Sequence, residues 1–270
     1  MQRPAWAPRS IDISVPSVSR IYDYYLGGSH NFEVDREAAR KAMEFMPGLP
    51  KIMQANRAFM RRAVGYAVDE GITQFLDIGS GIPTFGNAHE VAQAADPGAR
   101  VVYVDHDPVA VAHSQAVLAG TEGADVVAGD LLKPRETLAS PEVEGLIDLN
   151  RPVALLLVAI LHFVEDADDP YRAVAELRDA LAPGSLLVVT HASYEGVPLP
   201  QERAEGAVDV YRDIRNPLIM RSREQVARFF EGYDMVEPGL VPMPNWRPDT
   251  APEDEDPYAF SGFAGVGRAA

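Results

Sequence analysis

Cysteine is absent from the 270 residues, which excludes disulfides, thiolate metal sites and cysteine nucleophiles together. Basic residues are few: 24 Lys and Arg stand against 40 Asp and Glu, a formal charge of −16. A duplex or tRNA partner needs a basic footprint that this balance does not supply, so no nucleic-acid partner is expected. No apolar run approaches the roughly 20 residues of a membrane span; the longest candidate, PVALLLVAIL at 152–161, is far too short. The opening MQRPAWAPRS has no apolar signal core. These absences read as a cytoplasmic protein with no membrane partner. Internal repeats and low-complexity tracts are missing as well, and no H-x-x-x-H or carboxylate cluster suggests a metal site. The acidic run at 253–256 reads as a solvated loop.

What is present is an ordinary globular composition on a chain long enough to bury a large core. The most informative stretch is 73–107, TQFLDIGSGIPTFGNAHEVAQAADPGARVVYVDHD. Phe75, Leu76 and Ile78 form a short apolar run that stops at Gly79, Ser80 and Gly81, as a central parallel strand does on entering a ligand-binding turn. The two glycines let the backbone turn sharply and approach a ligand closely. Val101 to Val104 form the next strand, with Asp105 at its carboxyl end. Ligands of open α/β sheets bind outside the carboxyl ends of the strands, so both features face one crevice. A carboxylate there accepts hydrogen bonds from ribose hydroxyls, and the implied ligand carries a nucleoside.

A dinucleotide turn would read G-x-G-x-x-G and seat a pyrophosphate at a helix N-terminus. Here the glycines are 79, 81 and 86, and Pro83 and Thr84 occupy the middle of the turn; proline removes a backbone donor where a pyrophosphate wants one. Asp77 adds negative charge beside the turn, which suits an ammonium better than a phosphate. D-x-G-x-G followed by an acidic strand end resembles the cofactor site of class I S-adenosylmethionine (SAM) methyltransferases.

Further strands are expected at 124–128, 152–160 and 185–190, helices at 170–181 and 224–230, the latter capped by Ser222, and two last strands at 235–241 and 258–266. Strands alternating with helices and then a terminal strand pair give an α/β class with a Rossmann-like, seven-stranded methyltransferase sheet. Before it, three helices are expected: one after Ser17 stopped by Gly27 and Gly28, one at 34–45, and one at 51–69. These form an N-terminal helical cap over 1–70, with a SAM-binding domain over 71–270, the two as one integrated unit. A cap of this kind closes a small-molecule site and excludes water.

The segments R-I-Y-D-Y-Y-L-G-G-x-x-N-F, N-R-A-F-M-R-R-A-V and F-L-D-I-G-S-G-I-P-T, with V-D-H-D-P, L-H-F and L-x-P-G-S further on, resemble a bacterial methyltransferase family. That family was long catalogued as a domain of unknown function. The likeness runs from about Ser17 to the C-terminus. It implies the fold and SAM as cofactor, with S-adenosylhomocysteine (SAH) as its product, and no particular acceptor.

Gly79, Ser80, Gly81 and Asp105 are the leading cofactor contacts. Asp77 either meets the SAM ammonium through water or braces the turn, and His106 either lies along the adenine or is an exposed loop residue. Asp107, before Pro108, reads as a helix cap. The resemblance places Asp130 and Leu131 at the adenine edge, with a surface turn as the alternative for Asp130. Arg20 and Arg57 are candidates for the methionine carboxylate, which a guanidinium grips as a fork; surface ion pairs are the alternative, and Arg61 and Arg62 read as solvated. Tyr22 could roof the cofactor, Tyr25 reads as packing, and Asn31, in the loop with His30, reads as a ligand or a backbone clamp.

Methyl transfer from a sulfonium needs alignment and a deprotonated nucleophile. His162, where acceptor and sulfonium meet in this fold, and His191, at the end of the fifth strand, are the candidate bases, with an ordinary pKa near ~6.5; a histidine hydrogen-bonded within the strand-end loop is the alternative for His162. Glu165 and Asp166 read as substrate-side or capping groups. Tyr194, Tyr211 and Arg215 in the long link after His191 are substrate-side candidates by analogy. Trp246 reads as either core or rim. The function expected is methyl transfer to a small molecule; a SAM- or SAH-binding regulator without transfer activity and a nicotinamide-dependent reductase are the rivals. Oligomeric state is left open.

Overall fold

A computed structural model describes residues 12–83, 86–195, 201–212, 218–249 and 260–270. The readings made for residues 1–10, Thr84, Arg215, the run at 253–256 and the strand start at Tyr258 lie outside these residues.

Five strands run parallel: β1 (Gln74–Ile78), β2 (Arg100–Asp105), β3 (Ala124–Ala128), β4 (Ala154–Val158) and β5 (Leu186–Ala192). Three further segments, β6 (Tyr233–Met235), β7 (Val241–Pro242) and β8 (Gly262–Ala269), complete the sheet; β8 lies antiparallel to β5 and pairs with both β6 and β7. The order is β3-β2-β1-β4-β5-β8-β6 with β7 beside β8, the Rossmann-like α/β sheet that the sequence led us to expect with one short strand added. Chain order reverses between β1 and β4, so the topological switch point, where ligands bind in open α/β sheets, lies between the ends of these two strands.

Side chains alternate across the sheet, and the period-2 pattern builds two cores. Phe75, Val101, Ala154, Leu156, Val188 and Val266 face α1 (Val18–Tyr25), α2 (Glu33–Phe45), α3 (Leu49–Asp69) and α4 (Ala88–Ala95). Leu76, Val102, Leu155, Leu157, Leu187 and Val189 face the other way, toward the layer of α7 (Pro141–Leu146), α8 (Pro170–Ala180) and α10 (Arg223–Ala227). Helix α5 (Pro108–Leu118) follows β2, α6 (Pro134–Leu138) follows β3, and α9 (Gln201–Arg212) packs on α2.

Helix α3 places Ile52, Phe59, Ala63 and Ala67 on one stripe at helical spacing, all buried. It ends where Gly71, at φ +80°, takes the left-handed conformation that lets Ile72 N–H reach Ala67 O at 2.9 Å. Trp246 is fully buried against α3, edge-on to Phe59 at 5.3 Å between ring centres, and so belongs to the core. The third N-terminal helix therefore shares its core with the sheet.

Two strand expectations need correction. The single strand expected at 235–241 is two pieces, β6 and β7, because Pro238 has no N–H to give a ladder and Gly239 turns at φ +85°. The strand expected at 152–160 stops at Val158, because Ala159 takes φ +60° and swings the chain into a short 3-10 turn, Leu161–Phe163. That turn carries His162.

Candidate active site

At the end of β1 the backbone turns through Gly79 (φ +76°) and Gly81 (φ +69°), values that cost L side chains about 1–2 kcal/mol. Gly79 is doubly constrained, since a Cβ there would stand 2.6 Å from Ile160 Cγ1. Gly79 N–H and Ser80 N–H both donate to Val104 O, at 2.8 and 3.2 Å, which ties the turn to β2. Asp105 completes the tie: its carboxylate accepts from Gly81 N–H at 2.7 Å and from Asp107 N–H at 2.8 Å. The strand-end aspartate thus shapes the glycine turn while it lines the cavity beside it.

That cavity, of about 70 Å³, lies at the switch point. Val18 and Tyr22 of α1 and Asn56, Arg57 and Met60 of α3 form one wall. Asp77, Gly79, Ser80, Gly81, Asp105 and His106 form the wall opposite, and Val158 to Ile160 with Phe163 close the end. Its electrostatics are unusual. Burial, with the Asp105 charge adding to it and Arg57 opposing, pushes the Asp77 carboxyl up to about 7. Burial likewise raises Asp105, against the two backbone N–H donors. Arg57 reaches Asn87 Oδ1 at 3.2 Å and Gly86 O at 3.4 Å through one terminal nitrogen. Its Nε, and the Ser80 hydroxyl, are buried with no hydrogen-bond partner among the described residues, an arrangement that costs free energy unless a ligand supplies the partner.

A second cavity, of about 80 Å³, adjoins the first and shares Val18, Tyr22, Asn56, Ala159 and Phe163 with it. A directional hydrogen-bond chain runs through the shared wall. Ala159 N–H donates to Thr190 Oγ1 at 2.8 Å, and Thr190 Oγ1–H to Asn56 Oδ1 at 2.6 Å. Asn56 Nδ2 donates to the Tyr22 oxygen at 2.9 Å, and Tyr22 O–H to Met53 O at 3.3 Å. The far end holds Tyr25 and Tyr211, whose hydroxyls meet at 3.0 Å; burial keeps both phenols protonated, raising Tyr25 strongly and Tyr211 to about 12.

Both candidate histidines line this second cavity, and neither is set up as a base. His162 Nδ1 accepts from Ala192 N–H at 3.3 Å, so its neutral ring carries the proton on Nε2. Burial, then His191 and Arg221, hold its pKa well below the ordinary value. His191 is locked at both nitrogens, Nδ1–H donating to Ala192 O at 2.7 Å and Nε2 accepting from Arg221 Nη1 at 2.9 Å. Burial drives its pKa to about 3. Arg221, itself 1 % exposed, also donates to Leu161 O, Val164 O and Asp166, which fills all five of its N–H groups. Asp166 is thereby an anchor for Arg221 and does not line either cavity.

Several other candidates lie apart from both cavities. Arg20, a candidate for the carboxylate with a surface ion pair as the alternative, is in a buried ion pair: Nε donates to Asp35 Oδ2 at 2.9 Å, and Nη1 lies 3.6 Å from Asp107 Oδ2. Asn31 is a loop clamp, its Nδ2 held by Asp23 and Gly28 O and its Oδ1 by Arg36. Asp130 is exposed and accepts from Leu132 N–H at 2.9 Å, while Leu131 packs into the second core. Asp107 caps α5 through Val109 N–H at 2.8 Å, as read from Pro108. Tyr194 is 42 % exposed and lines neither cavity, whereas Tyr211 lines the second. Arg62, read as solvated, is half-buried and donates to Trp246 O and Met243 O. Asn56, Thr190, Arg221 and Ile160 were not foreseen. Only Asn56 left a signal, as a polar residue on the apolar stripe of α3 between Ile52 and Phe59.

Comparison with known proteins agrees with this architecture. The model of the S-adenosyl methyltransferase family matches residues 4–270. A candidate methyltransferase from Thermobifida fusca YX is 39 % identical, with a TM-score of 0.91 over 98 % of this chain and 99 % of its own. A DUF574-family protein from Streptomyces avermitilis MA-4680 is also 39 % identical, with a TM-score of 0.90 over 96 % of this chain and 99 % of its own. The N-methyltransferase NodS from Bradyrhizobium japonicum WM9, solved with SAH, shares the fold at 14 % identity, with a TM-score of 0.50 over 87 % of this chain and 97 % of its own. No curated protein matches the chain. The chain belongs to the S-adenosyl methyltransferase family and is a SAM-dependent methyltransferase.

Proposed function

We propose that SAM binds in the cavity at the switch point, and that a small-molecule methyl acceptor enters the adjoining one. The observation that carries this reading is the placement of Arg57, Ser80 and Asp77 together on the lining of the first cavity, at the switch point. A zwitterionic amino-acid end suits this lining: its carboxylate is complementary to the Arg57 guanidinium, and its ammonium to Asp77. Gly79 and Gly81 bring backbone close to the ligand, Asp105 takes the ribose hydroxyls with lone pairs left beyond its two backbone donors, and His106 lies toward the base. Tyr22 orients the cofactor through the shared wall. Arg20, Asn31, Asp130 and Leu131 have no part in this reading, because their polar groups are engaged elsewhere or their side chains line neither cavity.

Bound SAM supplies an electrophilic methyl group on a sulfonium. The chain supplies position and dryness: apolar side chains exclude water, and the Asn56 chain holds α1, α3, β5 and the turn after β4 in fixed relation. His162 contributes a hydrogen-bond donor, Nε2–H, and the His191 ring packs edge-on against it, 5.5 Å between ring centres.

A cavity of about 80 Å³ favours a small acceptor over a macromolecule, and the charge of −16 disfavours a nucleic acid. No described helix is long and apolar enough to cross a membrane; the cysteine-free composition fits a cytoplasmic setting. Helices α1 to α3 act as the cap of an integrated unit, since α1 and α3 furnish one wall of both cavities. A crystal structure with SAH tests the placement: density in the first cavity with its carboxylate on Arg57 is expected, and density anywhere else overturns it.

A further inference from the structure

We propose that the second cavity selects an uncharged, largely apolar, ring-bearing ligand that offers at least one hydrogen-bond-accepting atom. The inference rests on the reading of this cavity as the acceptor site. About a quarter of the chain is charged, yet no Asp, Glu, Lys or Arg lines the cavity among the described residues. An ion placed there meets no counter-charge among the described residues, and leaving it desolvated and unpaired is costly.

The two histidines do not rescue an anion, because burial keeps both neutral near pH 7. A cation fares no better, since no carboxylate among the described residues lines the cavity and both tyrosines stay protonated. Met46, Met53, Met220 and Met243 come from four separate places in the chain to line the cavity. Thioethers on flexible stems pack well against ring edges and adapt to irregular outlines, which matches a planar ligand better than a branched aliphatic one.

Two donors are left for a ligand. His162 has spent Nδ1 as an acceptor and keeps Nε2–H as a donor. Of the two hydroxyl protons at Tyr25 and Tyr211, one is used between them and one is left to give. Asn56 has its oxygen and one amide proton committed within the wall. The cavity therefore offers donors, and a carbonyl, ether or aromatic ring nitrogen is the complementary group.

Three probes of one shape isolate charge as the variable: acetophenone, benzoate and benzylammonium, titrated by saturation-transfer NMR at pH 7.5 into the full chain with and without saturating SAH. The ketone is expected to bind at least tenfold more tightly than either ion. Leu49→Trp, which fills the cavity, is expected to abolish ketone binding and leave SAH binding unchanged. Met53→Trp serves the same purpose should the first variant misfold. Equal or tighter binding of either ion, failure of the ketone to bind, or undiminished ketone binding in a folded tryptophan variant overturns the proposal. SAH binding is read separately. Its loss in the wild-type chain defeats the cofactor placement, while the ketone-to-ion ratio still judges this inference.

Discussion

Thr190 Oγ1 donates a 2.6 Å hydrogen bond to Asn56 Oδ1, joining the end of β5 to the middle of α3. Both groups are buried, and the same hydroxyl accepts Ala159 N–H. The pair holds the wall between the two cavities and fixes the turn whose Ile160 packs on Gly79.

Thr190→Val keeps the shape and removes the hydroxyl, stranding Asn56 Oδ1 and Ala159 N–H. Each unsatisfied buried group costs about 1–3 kcal/mol, so urea unfolding is expected to show a loss in that range or somewhat above it. Thr190→Ser, which retains the oxygen, is expected to lose much less. Equal losses in the two variants would place the effect in packing and not in the hydrogen-bond chain.

Asp77 makes stability fall as pH rises. Its folded pKa, about 7, lies above the unfolded value near 3.8, so between these pH values the folded chain holds a proton that the unfolded chain has lost. The associated stability is fully present below about pH 4 and is lost as pH climbs through 7. Asp77→Asn is expected to be the more stable chain at pH 8, by on the order of 2–4 kcal/mol, with the gap closing toward pH 4. A gap independent of pH contradicts the assignment.

Much of this arrangement was legible in the sequence, and the division has a physical cause. The Gly79 turn, Asp105 and the Asp107 cap are local patterns, in which a strand end, a φ requirement or a Pro at the first helical position announces itself within a few residues. Arg20 misled because a sequence shows a charge without its partner; folding brings Asp35 from the next helix and Asp107 from beyond β2. The Thr190–Asn56 pair spans 134 residues, and nothing local to either residue encodes it. The histidines show the same limit: their positions were readable, but their tautomers depend on Ala192 and Arg221.

Arg20→Met tests that correction. It leaves Asp35 and Asp107 without their buried cation, and breaking such a group typically costs about 3–5 kcal/mol. SAH affinity of the folded variant, measured by calorimetry well below its melting temperature, is expected to stay within threefold of the parent. A tenfold loss of affinity without destabilisation would return Arg20 to the cofactor.

The two histidines are expected to stay neutral across the physiological range. Long-range 1H–15N spectra from pH 5.5 to 8 are expected to show His162 as the Nε2–H form and His191 as the Nδ1–H form, with no titration of either. An inflection near pH 6.5 at His162 restores it as a base.

The most direct test of the cofactor site is calorimetric titration of the full chain with SAM, SAH and NAD, beside Arg57→Leu and Asp105→Ala. SAM and SAH are expected to bind in the micromolar range and NAD not to bind. Both variants are expected to remain folded and to lose at least tenfold in affinity, the effect of Asp105→Ala arising partly through the Gly81 turn that its carboxylate holds. Undiminished SAH binding in Arg57→Leu, or binding of NAD in place of SAM, contradicts the account.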